Sequence, residues 1–274
     1  MDLNVKSERF FQRNTKYLKK VFAKKLHKVI DFLENNNKSN PEINGEYVFI
    51  DIFIKNCLKE KKDLVIFDIG ANIGEYTKHL IEKISKENKG PRYNIYLFEP
   101  TEISFAKLKD NFANQENVFL NNYALSDVSG EESIFYDKQG SGLASLYERN
   151  LSYYDIALDK SETVIVKTLK DFIESNKFST IDLMKIDVEG NELKVLKGMD
   201  TYLNKDFVNF VQFEYGGTNL DAHTSLADFY SLLEPRGFKI AKIMSYGLDF
   251  KPYDPSMDNF KYSNYVAVSE RLLK

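Results

Sequence analysis

The stretch that decides the fold is VIFDIGANIGEYT, residues 65–77. A short, continuous apolar run ends in glycine, as expected of a strand buried on both faces of a parallel sheet. Gly70 and Gly74 allow a tight turn and a close backbone approach to a ligand. The amides at the N-terminus of the following helix can bind a carboxylate, and Asp68 at the strand end can pair with an ammonium group. The turn therefore predicts a ligand with an amino-acid head.

The rest of the chain repeats this unit. From residue 64 onward, apolar strand-like runs alternate with helical patterns. Such repeats predict an α/β fold with a doubly wound, mostly parallel sheet covered by helices on both faces. We expect residues 1–60 to form an N-terminal helical extension and residues 61–274 to form the ligand-binding domain.

Polar residues follow the next two predicted strands. NIYLFEP (94–100) ends with Glu99, whose carboxylate can accept hydrogen bonds from both hydroxyls of a ribose. VFLNNYALSD (118–127) ends with Ser126 and Asp127, which we expect at the edge of an adenine ring. Because the carboxyl ends of parallel strands meet at one edge of a sheet, the three strand ends can bind one ligand. S-adenosylmethionine carries all three groups.

The most distinctive segment is IDLMKIDVEGNELKVLKGM, residues 181–199. Strand alternation places Lys185 and Asp187 on one face, with Glu189 in the turn and Glu214 at the end of the next strand. The three carboxylates are therefore expected to converge on one cleft. They could orient a hydroxyl, act as a general base or hold a divalent cation. The alternative interpretation is that some of these carboxylates cap helices or pair with Lys185. We assign no metal ligand.

The histidines have no metal-binding spacing. We expect His27 and His79 to be structural or solvated, and we consider only His223, in a loop after a strand end, as a base. The loop GSGLASLYERN (140–150) is either a lid on the cleft or an ordinary hairpin loop.

Six segments in this order resemble the FkbM family of methyltransferases: DIGANIGEYT, LFEP, NNYALSD, KIDVEGNELKVLKGM, FEYGG and SNYVAV. The resemblance spans roughly residues 60–268 and leaves the first 60 residues outside. It implies a Rossmann-like class I methyltransferase sheet of seven strands and O-methylation of sugar or natural-product hydroxyls. The predicted donor-binding residues are Asp68, Gly70, Asn72, Gly74, Tyr76, Glu99, Ser126 and Asp127. The predicted catalytic residues on the acceptor side are Lys185, Asp187, Glu189, Glu214 and His223.

Charge and glycine spacing weigh against other functions. Residues 1–30 hold nine Lys or Arg and two acids, a charge of +7, so the rest of the chain carries −10. This balance disfavours a nucleic-acid-binding domain. The G-x-x-x-G spacing differs from the G-x-G-x-x-G fingerprint of nicotinamide enzymes. A Rossmann-like domain that binds a nucleotide or glycan without catalysis is the second hypothesis.

Residues 14–34 have the pattern of an amphipathic helix with a lysine-rich face. The first interpretation is packing on its own domain; a homo-oligomer contact and a peripheral membrane contact stay open. No apolar run approaches the ~20 residues that span a bilayer, and the single Cys57 fits a reducing compartment. We therefore expect a soluble, cytoplasmic protein with a small-molecule or saccharide acceptor and no nucleic-acid partner.

Overall fold

The computed structural model describes residues 3–60, 63–87 and 92–273, with side chains from residue 18 onward except residues 58–60. Helices and strands alternate as expected. The helices are α1 (Leu3–Leu33), α2 (Pro41–Asn44), α3 (Glu46–Glu60), α4 (Glu75–Lys86), α5 (Glu102–Phe112), α6 (Leu169–Asn176), α7 (Glu192–Lys197), α8 (Gly217–Asp221) and α9 (Leu226–Leu233). The strands are β1 (Leu64–Ile69), β2 (Tyr93–Phe98), β3 (Val118–Asn121), β4 (Ala124–Ser126), β5 (Gly130–Tyr136), β6 (Lys160–Thr168), β7 (Ile181–Ile186), β8 (Val208–Tyr215), β9 (Phe238–Met244), β10 (Gly247–Phe250) and β11 (Ser263–Ser269).

The main sheet has the order β10-β9-β11-β8-β7-β1-β2-β3. Strands β3, β2, β1, β7 and β8 run parallel to one another, and β11 runs antiparallel to both β8 and β9. The doubly wound, mostly parallel sheet is thus confirmed. An eighth strand, β10, adds to the seven expected, because the chain folds back after Met244 and pairs Gly247 with it.

The chain leaves the sheet earlier after β3 than the sequence suggested. The strand ends at Asn121, and Ala124–Ser126 belongs to a separate sheet of order β4-β6-β5. The side chain of Asn122 donates to the carbonyl oxygens of Glu99 and Pro100 at 3.0 and 3.1 Å, which holds the turn between the two sheets. The prediction that the third strand ends with Ser126 and Asp127 is therefore wrong.

Helix α3 is part of the hydrophobic core. It buries Phe49, Ile50, Phe53, Ile54 and Cys57 against one face of the sheet. Phe side chains buried in this way each stabilise the fold by roughly 1.5–3 kcal/mol. The assignment of residues 1–60 to an extension stays a prediction, but α3 is anchored firmly enough to position its first residue, Glu46.

Helix α1 is longer than expected, and its apolar face is exposed. Leu18 is 63% exposed and Phe22 69%. Its C-terminal end is tied to the domain, since Lys261 Nζ lies 2.6 Å from Asp31 Oδ1, and the left-handed backbone of Asn35 turns the chain away from the helix axis. The expectation that α1 packs its apolar face on its own domain is wrong. None of the described helices is long and apolar enough to cross a membrane.

Candidate functional site

The turn after β1 is shaped by its contact with the end of β7. Gly70 has φ +80°, and a Cβ atom there would lie 1.8 Å from the carbonyl oxygen of Asp187. Gly74 has φ +83°, and a Cβ atom there would lie 2.2 Å from the ring of Phe112. Both glycines are therefore required by close packing inside the protein, whereas the sequence suggested a close approach to a ligand.

Several amides of this turn already have partners. Those of Gly70 and Ala71 both donate to the carbonyl oxygen of Phe98, at 2.9 and 3.0 Å. The amide of Asn72 donates to Glu99 Oε2 at 2.9 Å. The N-cap of α4 is Gly74, which has no side chain to cap the first turn. The amides that can receive a carboxylate are therefore those of the first turn of α4.

Asp68 lies beneath the turn. It is completely buried, and Thr77 Oγ1 donates to its Oδ2 at 2.6 Å. Its Oδ1 lies 3.8 Å from Lys185 Nζ. Burial raises the pKa of Asp68. Its cationic neighbour is thus Lys185 of the protein itself. Asp68 is not among the residues that line the three clefts of the site. This geometry disfavours a direct contact between Asp68 and the ammonium group of a ligand.

Glu99 is buried at the end of β2 and makes three hydrogen bonds. Its Oε1 accepts from the amide and hydroxyl of Thr101 at 3.0 and 2.5 Å, and its Oε2 accepts from the Asn72 amide. Burial raises its pKa. A carboxylate has about four acceptor positions, so one remains, on Oε2. It can bind one ligand hydroxyl rather than the two that we expected.

A first cleft, of about 580 Å³, opens beside Glu99. The apolar part of its walls comes from both sheets and from the loop 140–150: Phe98, Tyr123, Leu125, Ile134 and Leu146. These walls suit a flat, weakly polar ring, with a hydroxyl-bearing group at the Glu99 end. Ser126 and Asp127 are not among the lining residues described. Tyr123–Leu125 line the cleft where we expected Ser126 and Asp127, because β3 ends earlier than predicted.

A second, larger cleft, of about 2030 Å³, adjoins the first. The structure brings Asp187, Glu189 and Glu214 together in its lining, as predicted from the strand ends. Among the residues that the structure describes, no group of three or more His, Cys, Asp or Glu is arranged to hold a metal ion. The three carboxylates instead have separate partners.

Glu189 is paired with an arginine from the loop 140–150. Arg149 Nη1 lies 2.7 Å from Glu189 Oε2, and Arg149 Nε lies 3.3 Å from Asp221 Oδ2. Burial and the nearby charge of Asp187 nevertheless raise the pKa of Glu189 to about 8. Ser145 Oγ of the same loop donates to the carbonyl oxygen of Glu189 at 2.7 Å. Of the two interpretations of this loop, the structure supports the one in which it covers the cleft.

Glu214 is paired with a tyrosine that the sequence did not single out. The hydroxyl of Tyr262 donates to Glu214 Oε1 at 2.5 Å. Burial, reinforced by the charge of Asp187, holds the pKa of Glu214 well above its ordinary value. Tyr262 reaches this position because β11 pairs antiparallel with β8, which sets Ser263 opposite Tyr215. That register cannot be read from a single strand.

Lys185 is the central cation of the site. Its Nζ lies 2.9 Å from Asp187 Oδ2 and 3.8 Å from Asp68 Oδ1. Burial lowers its pKa, but the charges of Asp187, Asp68 and Glu46 outweigh burial and hold the pKa above its ordinary value. Lys185 is therefore protonated and serves as a counter-ion rather than a base.

Glu46, at the start of α3, is a site residue that the sequence gave no reason to expect. Gln212 Nε2 donates to its Oε1 at 2.8 Å, and burial raises its pKa. Tyr76 donates to Gln212 Oε1 at 2.8 Å. Glu46, Tyr76 and Lys185 line a third cleft, beside the N-terminus of α4.

The three clefts meet at three residues: Gly70, Asn72 and Asp187 line all of them. Asn72 has a left-handed backbone, with φ 49°, and its Oδ1 is a buried acceptor without a hydrogen-bond partner. A group held in the first cleft can therefore approach a group held in the second at a point flanked by Asn72 and Asp187.

His223 lies outside this arrangement. It has φ 54°, follows α8, and is not among the residues described as lining the three clefts. His79 stacks on Tyr47 at 3.5 Å between ring centroids, and His27 is exposed. The geometry gives no support to His223 as a base.

The chain is similar to known methyltransferases. The family described as the Methyltransferase FkbM domain matches residues 68–240, more than half of the chain. Methyltransferase 1 of Beauveria bassiana is 26% identical over 74% of this chain and 85% of its own length.

Two further relatives have more specific names. The hexuronic acid methyltransferase AglP of Haloferax volcanii is 28% identical over 63% of this chain and 63% of its own length. The 2-O-methyltransferase NoeI of Sinorhizobium fredii is 28% identical over 60% of this chain and 68% of its own length. The chain thus spans less than two thirds of the length of AglP.

Proposed function

We propose that this chain, which belongs to the FkbM family of methyltransferases, transfers the methyl group of S-adenosylmethionine to a hydroxyl of a saccharide. The observation that carries the proposal is the meeting of the clefts at Asn72 and Asp187. A donor on one side and an acceptor on the other would be held in contact there, and positioning of this kind supplies much of the rate in a two-substrate reaction.

The residues of the first cleft fit the donor. The apolar walls suit an adenine ring, and the remaining acceptor position of Glu99 suits one ribose hydroxyl. The first-turn amides of α4 suit the carboxylate of the amino-acid part. The unpartnered Oδ1 of Asn72 offers a dipole to a positive group at the junction. When bound, S-adenosylmethionine supplies an electrophilic methyl group on a sulfonium.

Asp187 is our candidate for the general base. Lys185 binds its Oδ2 and compensates its negative charge inside the site. Asp187 would accept a hydrogen bond from the acceptor hydroxyl and take its proton as that oxygen receives the methyl group and the methyl–sulfur bond breaks. Glu214, buried beside Tyr262 with its pKa held above the ordinary value, orients a second hydroxyl.

Two kinds of evidence support a saccharide acceptor. The names of AglP and NoeI refer to a sugar acid and to 2-O-methylation. The second cleft combines carboxylates with the aromatic side chains of Tyr153, Tyr154 and Phe260, a mixture that suits the polar edges and apolar faces of a sugar ring.

The charges of this cleft bear on the kind of sugar. Among its described lining residues Arg149 is the cation, and both Glu189 and Asp221 pair with it. No lining cation is therefore left for an acceptor carboxylate. We expect a neutral sugar around the methylated hydroxyl, in contrast to a hexuronic acid. A hydroxyl of a small natural product is the alternative acceptor.

Methyl-labelled S-adenosylmethionine tests the proposal. The protein is incubated with neutral oligosaccharides, with oligosaccharides of hexuronic acids and with hydroxylated small molecules, and the products are fragmented by mass spectrometry. We expect the label on a hydroxyl oxygen of a neutral sugar, formed roughly 10²–10⁴-fold more slowly by Asp187→Asn. Label on nitrogen, on a carboxylate or only on a non-saccharide product would contradict the proposal.

A further inference from the structure

Helix α1 presents a continuous apolar stripe. Leu18, Phe22, Leu26, Val29 and Leu33 are all exposed, with Phe22 at 69% and Leu33 at 64%. Ile30 and Phe32 widen the stripe and are exposed as well. Exposed apolar patches of this kind mark surfaces that bind a partner or a membrane.

Exposed lysines occupy the rest of the helix surface. Lys20, Lys24 and Lys28 follow one another at intervals of one turn, and Lys19 and Lys25 lie at the borders of the apolar stripe. The acids in this part of α1 and its exit are Asp31, which binds Lys261 at 2.6 Å, and Glu34, which lies 3.8 Å from Lys251. Among the described side chains no acid pairs with these exposed lysines, so they form a positive surface whose natural complement is an anionic surface.

The spacing of the apolar residues disfavours a two-stranded coiled coil between two copies of α1. From Leu18 to Leu33 the intervals along the stripe are four, four, three and four residues. A two-stranded coiled coil alternates three and four to keep a 3.5-residue repeat. The intervals of this stripe are longer on average and depart from that repeat, and a second copy of α1 packed on the stripe would bring the border lysines Lys19 and Lys25 of both helices close together.

We propose that α1 lies along the surface of a membrane that contains anionic lipids. Its apolar stripe would enter the boundary between headgroups and acyl chains, the border lysines Lys19 and Lys25 would contact lipid phosphates, and the other lysines would add to the attraction to an anionic surface. The tie between Asp31 and Lys261 would hold the domain at the lipid surface. This inference goes beyond the methyltransferase function and does not depend on it.

Sedimentation of the full chain with vesicles tests the inference. The vesicles are made of phosphatidylcholine alone or with about one third phosphatidylglycerol. We expect binding to the anionic vesicles only, weakened as salt is raised above 0.1 M or so. Phe22→Ser/Leu26→Ser/Val29→Ser and Lys20→Glu/Lys24→Glu/Lys28→Glu should each reduce the affinity by roughly ten-fold or more.

A matched control replaces exposed apolar residues away from α1. Val128→Ser/Ile165→Ser, at two exposed positions, should bind vesicles like the wild type. Circular dichroism and S-adenosylmethionine binding report whether each variant is folded. Wild-type protein that stays in the supernatant with both vesicle types overturns the inference. So does vesicle binding that survives the α1 substitutions, or light scattering that shows a dimer dissociated by the apolar triple variant.

Discussion

The ammonium group of Lys185 lies 2.9 Å from Oδ2 of Asp187, at the carboxyl end of a strand buried on both faces. Both residues come from the segment KIDVEG, and strand alternation gives them one face. The lysine also compensates Asp68 and Glu46. One cation, Lys185, therefore compensates three carboxylates of the site.

Removing that cation should be costly. Lys185→Met leaves buried carboxylates without a counter-ion, and breaking a buried ion pair in this way costs on the order of 3–5 kcal/mol. We expect a loss of that size in the free energy of unfolding, measured with urea. Lys185→Met/Asp68→Asn should recover part of it, while Lys239→Met, at an exposed position, should change little. If Lys185→Met were as stable as the wild type, the carboxylates around Lys185 would not all be charged at once.

Asp187→Asn should separate chemistry from donor binding. The amide keeps the shape of the side chain but cannot accept a proton, and loss of a general base lowers the rate by roughly 10²–10⁴-fold. Single-turnover rates and the dissociation constant of S-adenosylmethionine measure the two effects. Glu214→Gln should reduce the rate far less, because we assign Glu214 to orienting the acceptor rather than to taking its proton. Equal losses in both variants would contradict the assignment of Asp187 as the base.

Glu189 should make stability depend on pH. Its folded-state pKa, about 8, lies above the ordinary value of 4.5, so the folded protein binds this proton more tightly than the unfolded chain. The resulting stabilisation is fully present below pH 4.5 and is lost as the pH rises through 8.

Urea midpoints between pH 5 and pH 8.5 test this dependence. Glu189→Gln should reduce the loss of unfolding free energy over this pH range by a few kcal/mol at most. Glu148→Gln, a neighbour for which no such pairing with Arg149 is seen, is the control. An unchanged slope in Glu189→Gln would contradict the raised pKa.

Gly70→Ala should disturb Asp187 from a distance in sequence. A methyl group at this position would meet the Asp187 carbonyl oxygen and would force alanine to φ +80°. We expect a loss of at least 1–3 kcal/mol or so in stability, together with a lower methyl-transfer rate. Gly130→Ala is the matched control, because nothing lies within 4 Å of its added methyl group. Equal behaviour of the two variants would contradict the packing argument.

The local patterns predicted most of the scaffold. The buried run before Gly70 and the periodic helices after it fix β1 and α4, and strand alternation fixes the shared face of Lys185 and Asp187. Convergence of Glu189 and Glu214 followed from the parallel order of the strands, because neighbouring strand ends meet at one edge.

Long-range features could not be predicted in the same way. The exit of β3 depends on the Asn122 side chain binding carbonyl groups of the neighbouring strand end. Glu46 reaches the site only because α3 packs on the sheet, and Tyr262 only through the register of β11. The amphipathic pattern of α1 predicts a helix, but the exposure of its apolar face is visible only in the structure.

The most direct test of the central claim is a calorimetric titration of S-adenosylmethionine into the wild-type protein and two variants. We predict saturable binding in the cleft beside Glu99 and an affinity lowered roughly ten- to hundred-fold by Glu99→Ala, which removes a charged acceptor of a hydroxyl. Glu102→Gln, an exposed acid at the start of α5, should bind like the wild type. No binding heat from folded wild-type protein, or equal affinities in the wild type and Glu99→Ala, would contradict this account.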